Sequence, residues 1–136
     1  MTAFAQQAAS AYRQTEVQSR TPLELVVMLY DGALLFVGQA RDAIERGDIR
    51  ARREAISRTL AIMSELQSTL DMDKGGVISE SLDGLYVYIN GRLIDASSRQ
   101  DPGPLEEAGR LLTTLRDSWA EIARATAATA PGRATR

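Results

Sequence analysis

The stretch from Leu23 to Val37 constrains the fold most, because its apolar residues cover more than one face of a helix. With about 3.6 residues per turn, these residues and their continuation fall on two stripes. The first stripe contains Leu25, Leu29, Ala33, Phe36, Ala40 and Ala43, and the second contains Val27, Tyr30, Leu34 and Val37. One stripe is enough to dock a surface helix, whereas two stripes need two partners. The second stripe therefore indicates either a wholly buried central helix or a groove for a helix from another protein.

The same stretch carries clear signals for the start of a helix. Thr21 suits the N-cap, Pro22 suits the first helical position, and Glu24 stands three residues after Thr21, as in a capping box. We predict a helix from about Pro22 to Arg46. We do not expect it to span a membrane, because acidic residues interrupt an apolar run that would need about 18 residues.

The composition narrows the class of protein. With 136 residues, the chain has the size of a single domain. Its net charge of -2, from 16 basic and 18 acidic residues, does not favour nucleic-acid binding. Residues 1–10 lack the basic cluster and the apolar run of a signal peptide, so we expect a cytoplasmic protein.

The lack of cysteine and histidine limits the chemistry of the chain. It removes thiolate and imidazole metal ligands, disulfides and the commonest general base. The segment Asp71–Gly76 begins like a calcium loop, but Gly75 and Leu82 occupy two of the ligand positions, and we interpret it as a turn. We therefore predict no catalytic residues, no metal site and no cofactor.

Three further amphipathic segments predict helices. The second helix starts after Gly47 and Asp48 and runs to about Leu70, the third runs from about Ile78 to Arg99, and the fourth follows the turn Asp101–Pro104. Their expected core stripes are Ile49, Ile56, Leu60, Met63 and Leu70; Ile78, Leu82, Leu85, Ile89, Leu93 and Ala96; and Leu105, Ala108, Leu112, Leu115, Trp119 and Ile122. We predict an all-α fold, an antiparallel up-down four-helix bundle over residues 21–124 with a disordered tail at 125–136.

Residues 1–20 form a predicted flexible arm with only a thin apolar edge. Phe4, Tyr12 and Val17 supply that edge, which is too small to hold a helix without docking. We expect the arm to be frayed or to lie on the bundle through these three side chains. In the second case it would act as a lid.

Several apolar residues lie off the expected core stripes and are candidates for a partner-binding groove. On the third helix, Val87 and Ile94 lie beside Gly84 and Gly91, which indicate either close approach of another backbone or mere tolerance of glycine. Tyrosines are amphipathic and suit the rim of a groove, although buried tyrosines with one satisfied hydroxyl are common. The predicted groove contains Val27, Tyr30, Leu34, Val37, Tyr86, Val87, Tyr88 and Ile94.

The order of motifs along the chain resembles a known family. The run Thr21–Ala33, with its Pro-Leu-Glu-Leu-Val-Val-Met-Leu-Tyr-Asp-Gly core, is similar to the opening signature of the flagellar secretion chaperone FliS family. The match continues through Leu66, Leu70, Asp71 and Gly75–Gly76, then Leu82–Tyr88 with Leu93 and Ala96, then Leu111, Leu112, Leu115, Arg116 and Trp119. One departure is Ser97, where the family usually carries asparagine.

The resemblance implies a non-enzymatic export chaperone built as a helical bundle. Such a protein would bind the C-terminal segment of flagellin in the cytoplasm, prevent premature polymerisation and aid delivery to the flagellar type III export apparatus. In the family, the N-terminal arm can occupy part of the binding surface. The alternative from the residues alone is a homodimeric helical adaptor that hides its second apolar stripe by self-association and does not bind flagellin.

Overall fold

A computed structural model describes residues 20–129, which form four α-helices and no strand. The helices are α1 (Pro22–Arg46), α2 (Ile49–Ser68), α3 (Met72–Arg99) and α4 (Pro102–Thr129). Each helix packs against the next along the chain, and α4 returns to α1 and closes the ring. The connections have only two or three residues, so consecutive helices run antiparallel. The predicted all-α four-helix bundle is confirmed.

Local signals set both ends of α1. The Thr21 hydroxyl oxygen accepts a hydrogen bond from the Glu24 amide at 3.2 Å, and the Glu24 carboxylate accepts from the Thr21 hydroxyl at 2.9 Å. At the other end, Gly47 adopts a φ of 71°, and its amide donates to the Ile44 carbonyl oxygen at 3.1 Å. A positive φ suits glycine, which has no side chain to clash. The predicted bounds of α1 are confirmed.

Helix α3 begins earlier than predicted. The Asp71 carboxylate accepts hydrogen bonds from the amides of Asp73 and Lys74 at 3.1 and 2.9 Å, which caps a first helical turn. At Gly76 the backbone leaves the helical region with φ 52° and ψ -126°, and α3 kinks there. The segment interpreted as a turn is therefore a capped helical turn followed by a kink.

Helix α4 is longer than predicted at both ends. It starts at Pro102, because the first amides of a helix need no partner within it and prolines cost little there. It continues to Thr129, since alanine has the highest helix propensity. The prediction of a disordered tail is wrong for residues 125–129, and residues 130–136 lie outside the described chain.

The face of α1 that is buried in the core lies between its two predicted apolar stripes. The buried core residues are Tyr30, Ala33, Val37, Ala40, Ala55, Ile56, Met63, Leu66, Tyr86, Ile89, Leu93, Ala96, Leu105, Ala108 and Leu112. Helix α1 contacts both α2 and α4, so its buried arc takes residues from each stripe. Tyr30 and Val37 are core residues. The assignment of Tyr30 to a groove surface is wrong, whereas Val37 also lines a surface depression between α1 and α4. Conversely, Ile49, Ile78 and Ile122 were expected in the core and are exposed.

Helix α1 is long and apolar enough to cross a membrane by length and composition alone. In the bundle, however, its central residues Tyr30, Ala33 and Ala40 are buried against the other helices. Part of the apolar surface of α1 is thus used in packing the bundle.

Candidate functional site

An apolar groove of about 650 Å³ lies at the end of the bundle where α1 begins and α2 passes into α3. We call it the terminal groove. It is lined by Pro22, Leu23, Leu25, Val26 and Leu29 of α1, by Thr69, Leu70 and Asp71 of the α2–α3 connection, by Lys74, Gly75, Ile78, Ser79, Leu82 and Tyr86 of α3, and by Trp119 of α4. Three helices and the α2–α3 connection therefore line the groove, and the lining is mainly apolar.

The first turn of α3 forms one wall of the terminal groove. The Ser79 hydroxyl donates to the Asp71 carbonyl oxygen at 3.1 Å and folds this turn against the rest of the helix. A Cβ atom at Gly75 would lie 1.8 Å from the Ser79 hydroxyl oxygen, so only glycine fits there. Ile78, on the same wall, is 72% exposed. The wall thus presents a large apolar side chain to solvent at a position fixed by local hydrogen bonds.

Tyr86 and Trp119 line the base of the terminal groove, and Tyr30 contacts Tyr86 in the core beneath it. The hydroxyls of Tyr30 and Tyr86 are hydrogen-bonded to each other in the core. Burial raises the pKa of both tyrosines, so both hydroxyls stay protonated at neutral pH, and the Trp119 side chain acts against this rise at Tyr30. The base of an apolar groove therefore contains a small polar network.

The structure does not bring the predicted groove residues together. Of that set, only Tyr86 lines the terminal groove, where it is 1% exposed and forms part of the base. Val27 lines one depression between α1 and α4, and Leu34 and Val37 together line a second. The Asp31 carboxylate accepts from the Arg116 guanidinium at 2.8 Å in the first of these depressions, which ties the two helices together.

The remaining predicted residues lie on the outer face of α3. Val87 and Ile94 are exposed there and contribute to no part of the terminal groove. The Tyr88 hydroxyl donates to a Glu107 carboxylate oxygen at 2.7 Å, which lowers the pKa of Glu107. The Arg92 Nε lies 2.6 Å from the other oxygen of Glu107. Tyr88 is therefore part of a polar link between α3 and α4, and the predicted single groove is divided among four separate surfaces.

Periodicity missed most of the terminal groove, but the family motifs contain it. Leu23, Leu70 and Leu82 belong to three of the stretches that carry the resemblance, and Trp119 belongs to the fourth. The structure brings residues from all four stretches together at the same end of the bundle. The groove could therefore have been predicted from the sequence by combining the four motif stretches that carry the family resemblance.

A comparison with known protein families identifies the same family that these motifs indicate. A profile of the family described as "Flagellar protein FliS" matches residues 5–126. The chain belongs to the FliS family. The match includes α1, α2, α3 and α4 as far as residue 126, so the terminal groove lies within the matched region of this FliS family member.

Individual FliS proteins show the same relationship over most of their length. The flagellar secretion chaperone FliS of Salmonella typhimurium is 38% identical over 117 residues, which are 82% of this chain and 87% of the relative. The Bacillus subtilis FliS is 36% identical over 110 residues, 81% of each chain. FliSB of Pseudomonas aeruginosa is 31% identical over 120 residues, 85% of this chain and 95% of the relative. The family is one of flagellar export chaperones.

Proposed function

We propose that this chain is a cytoplasmic, non-enzymatic export chaperone that binds the C-terminal segment of flagellin. Binding would prevent premature polymerisation and present the client to the flagellar type III export apparatus. The observation that carries this proposal is the terminal groove, an open apolar surface made from the four motif stretches that identify the family. Its volume of about 650 Å³ falls within the range of roughly 300 to 1,000 Å³ that is typical of ligand sites.

The physical basis is coupled folding and binding. A flagellin end that is disordered alone gains about 25 cal/mol for each Å² of apolar surface that it buries on the chaperone. The terminal groove can hold a short anchor of such a segment. The rest of the segment would continue over other apolar surfaces, and Val27, Leu34, Val87 and Ile94 offer them.

Calorimetric titration of the purified chain with a peptide of the flagellin C-terminal segment tests this function. We expect saturable binding of one segment per chain and a negative heat-capacity change, because apolar surface is buried. Sedimentation of the free protein distinguishes this function from the alternative, a homodimeric helical adaptor. A tight homodimer that does not bind the peptide would support the adaptor and contradict the chaperone.

The N-terminal arm is proposed to regulate the same groove. Its lid residues, Phe4, Tyr12 and Val17, lie outside the described residues. Pro22 and Leu23, which begin α1, line the terminal groove, so the preceding chain enters the bundle at the edge of the groove. An extended chain spans about 3.3 to 3.6 Å per residue, which places the groove within reach of the arm.

Deletion of residues 1–18 should tighten binding of the flagellin segment. If the arm occupies the groove about ten times out of eleven, apparent affinity rises about tenfold when the arm is removed. The melting temperature should hardly change, because Thr21 and Pro22 still begin α1. Tyr12→Ala should produce part of the same gain. Titration of both forms checks this prediction, and weaker binding by the shortened chain would show that the arm assists the client instead.

A further inference from the structure

The first turns of α2 concentrate positive charge in a chain that is acidic as a whole. Residues 46–53 contain four arginines and one aspartate, whereas the net charge of the chain is -2. Helix α2 begins where α1 ends, so these arginines lie at the end of the bundle opposite the terminal groove. We call Ile49, Arg50, Arg52 and Arg53 the basic end.

The acidic residues nearest to the basic end are already paired with other arginines. The Arg46 guanidinium lies 2.9 Å from the Asp42 carboxylate and 3.4 Å from the Asp48 carboxylate. The Arg58 guanidinium lies 2.8 Å from the Glu54 carboxylate. Within residues 20–129, the three arginines of the basic end form no ion pair and no side-chain hydrogen bond. Their charges are therefore not compensated by the bundle.

Arg52 differs from its neighbours because its charge is covered. It is only 5% exposed, and its Nε is buried without a hydrogen-bond partner among the described residues. Helical side chains tilt toward the N-terminus of their helix, which directs the Arg52 guanidinium toward the end of the bundle where α2 begins. Burial of a charged group costs free energy unless a partner compensates for the lost hydration. A carboxylate from another molecule would be such a partner.

The rest of the basic end places an apolar contact among the arginines. Residues three and four apart are neighbours on a helix, so Ile49 lies beside both Arg52 and Arg53. Ile49 is 47% exposed, and Arg50 and Arg53 are also exposed. Guanidinium groups bind carboxylates through two parallel hydrogen bonds. The surface therefore matches a ligand that combines carboxylates with an apolar side chain.

We propose that the basic end is a docking surface for an acidic segment of a protein partner, with one carboxylate paired to Arg52 and one apolar side chain over Ile49. Charge complementarity is the reason for this occupant. An arginine that is almost fully covered is reached only by a group that projects from its carrier. Aspartate and glutamate side chains project in this way, whereas a flat membrane surface does not.

Fluorescence anisotropy of the full chain with a short dye-labelled peptide, glutamates around a central leucine, tests the proposal. We expect saturable binding at low salt and weaker binding as salt screens the charges. Arg52→Met keeps much of the stem and should weaken binding about 10- to 100-fold, because it removes a charged hydrogen-bond donor. Arg58→Met removes the same charge from α2, but Arg58 is already paired with Glu54, so the loss should be less than about twofold.

Thermal unfolding separates docking from a structural role of Arg52. Because Arg52 has no partner in the described chain, Arg52→Met should keep or raise the melting temperature. A marked fall would show that Arg52 serves the fold and would overturn its role as the anchor. Arg53→Gln changes an exposed residue, so it should weaken peptide binding about 1.5- to 5-fold without changing the melting temperature.

Four results would overturn the docking surface. They are the absence of saturable binding by the intact protein, equal binding of a control peptide with glutamines in place of the glutamates, equal losses in Arg52→Met and Arg58→Met, and tighter binding of phosphatidylserine vesicles or duplex DNA than of the acidic peptide. None of these measurements involves flagellin. The docking surface and the chaperone function can therefore fail independently.

Discussion

Ile78→Asp should weaken binding of the flagellin C-terminal segment by about 10- to 100-fold. Burial of an isoleucine side chain contributes about 1.5 to 3 kcal/mol, and each 1.4 kcal/mol corresponds to a factor of ten in affinity. The aspartate would also lose hydration when the segment covers it. Because Ile78 is 72% exposed in the free protein, the bundle itself should fold as before. Calorimetric titration gives the affinity, and thermal unfolding checks the fold.

The neighbouring residue provides a matched control. Val77 is 76% exposed on the same turn of α3 but does not line the terminal groove. Val77→Asp introduces the same charge on the same element, so it should reduce affinity by less than about twofold. Equal losses in the two variants would mean that the charge acts from a distance or that the client covers the whole start of α3. The terminal groove would then not be the anchor.

Leu112→Ala should lower the free energy of unfolding by about 2 to 5 kcal/mol. Leu112 lies in α4 with 0% of its side chain exposed, and it packs in the core of the bundle. Its removal leaves a cavity that surrounding side chains fill only in part. Urea unfolding monitored by circular dichroism measures the change, provided that the slope against denaturant stays constant.

Leu35→Ala makes the same chemical change at a surface site. Leu35 is 59% exposed on α1, so its truncation should change the free energy of unfolding by no more than about 0.5 kcal/mol. If the two variants were destabilised equally, the burial of Leu112 and the arrangement of the bundle would be wrong.

Features that depend on local chemistry could be predicted from the sequence. The bounds of α1 follow from its capping box and from Gly47, which act within a few residues. The buried residues of α4, such as Leu105 and Leu112, follow from spacings of three and four. Where a local signal was overlooked, as with the cap at Asp71, the predicted start of α3 was wrong.

Features that depend on neighbouring helices could not be predicted in this way. Periodicity shows that α1 has two apolar stripes, but only the positions of α2 and α4 decide that Tyr30 and Val37 are buried. The terminal groove is a stronger example, because Leu23, Leu82 and Trp119 are far apart in sequence. No pattern within one helix can show that such residues share a surface.

The closing contact between the first and last helices has a consequence for the order of folding. Helices that are adjacent in sequence can pair through short loops, and bundles with such local contacts fold in microseconds to milliseconds. The pairing of α4 with α1 joins the most distant parts of the chain and carries the largest loop-closure cost. Because the terminal groove needs α1, α3 and Trp119 of α4 together, we expect it to exist only after this last pairing. A nascent chaperone would therefore have no client site until its own folding is complete.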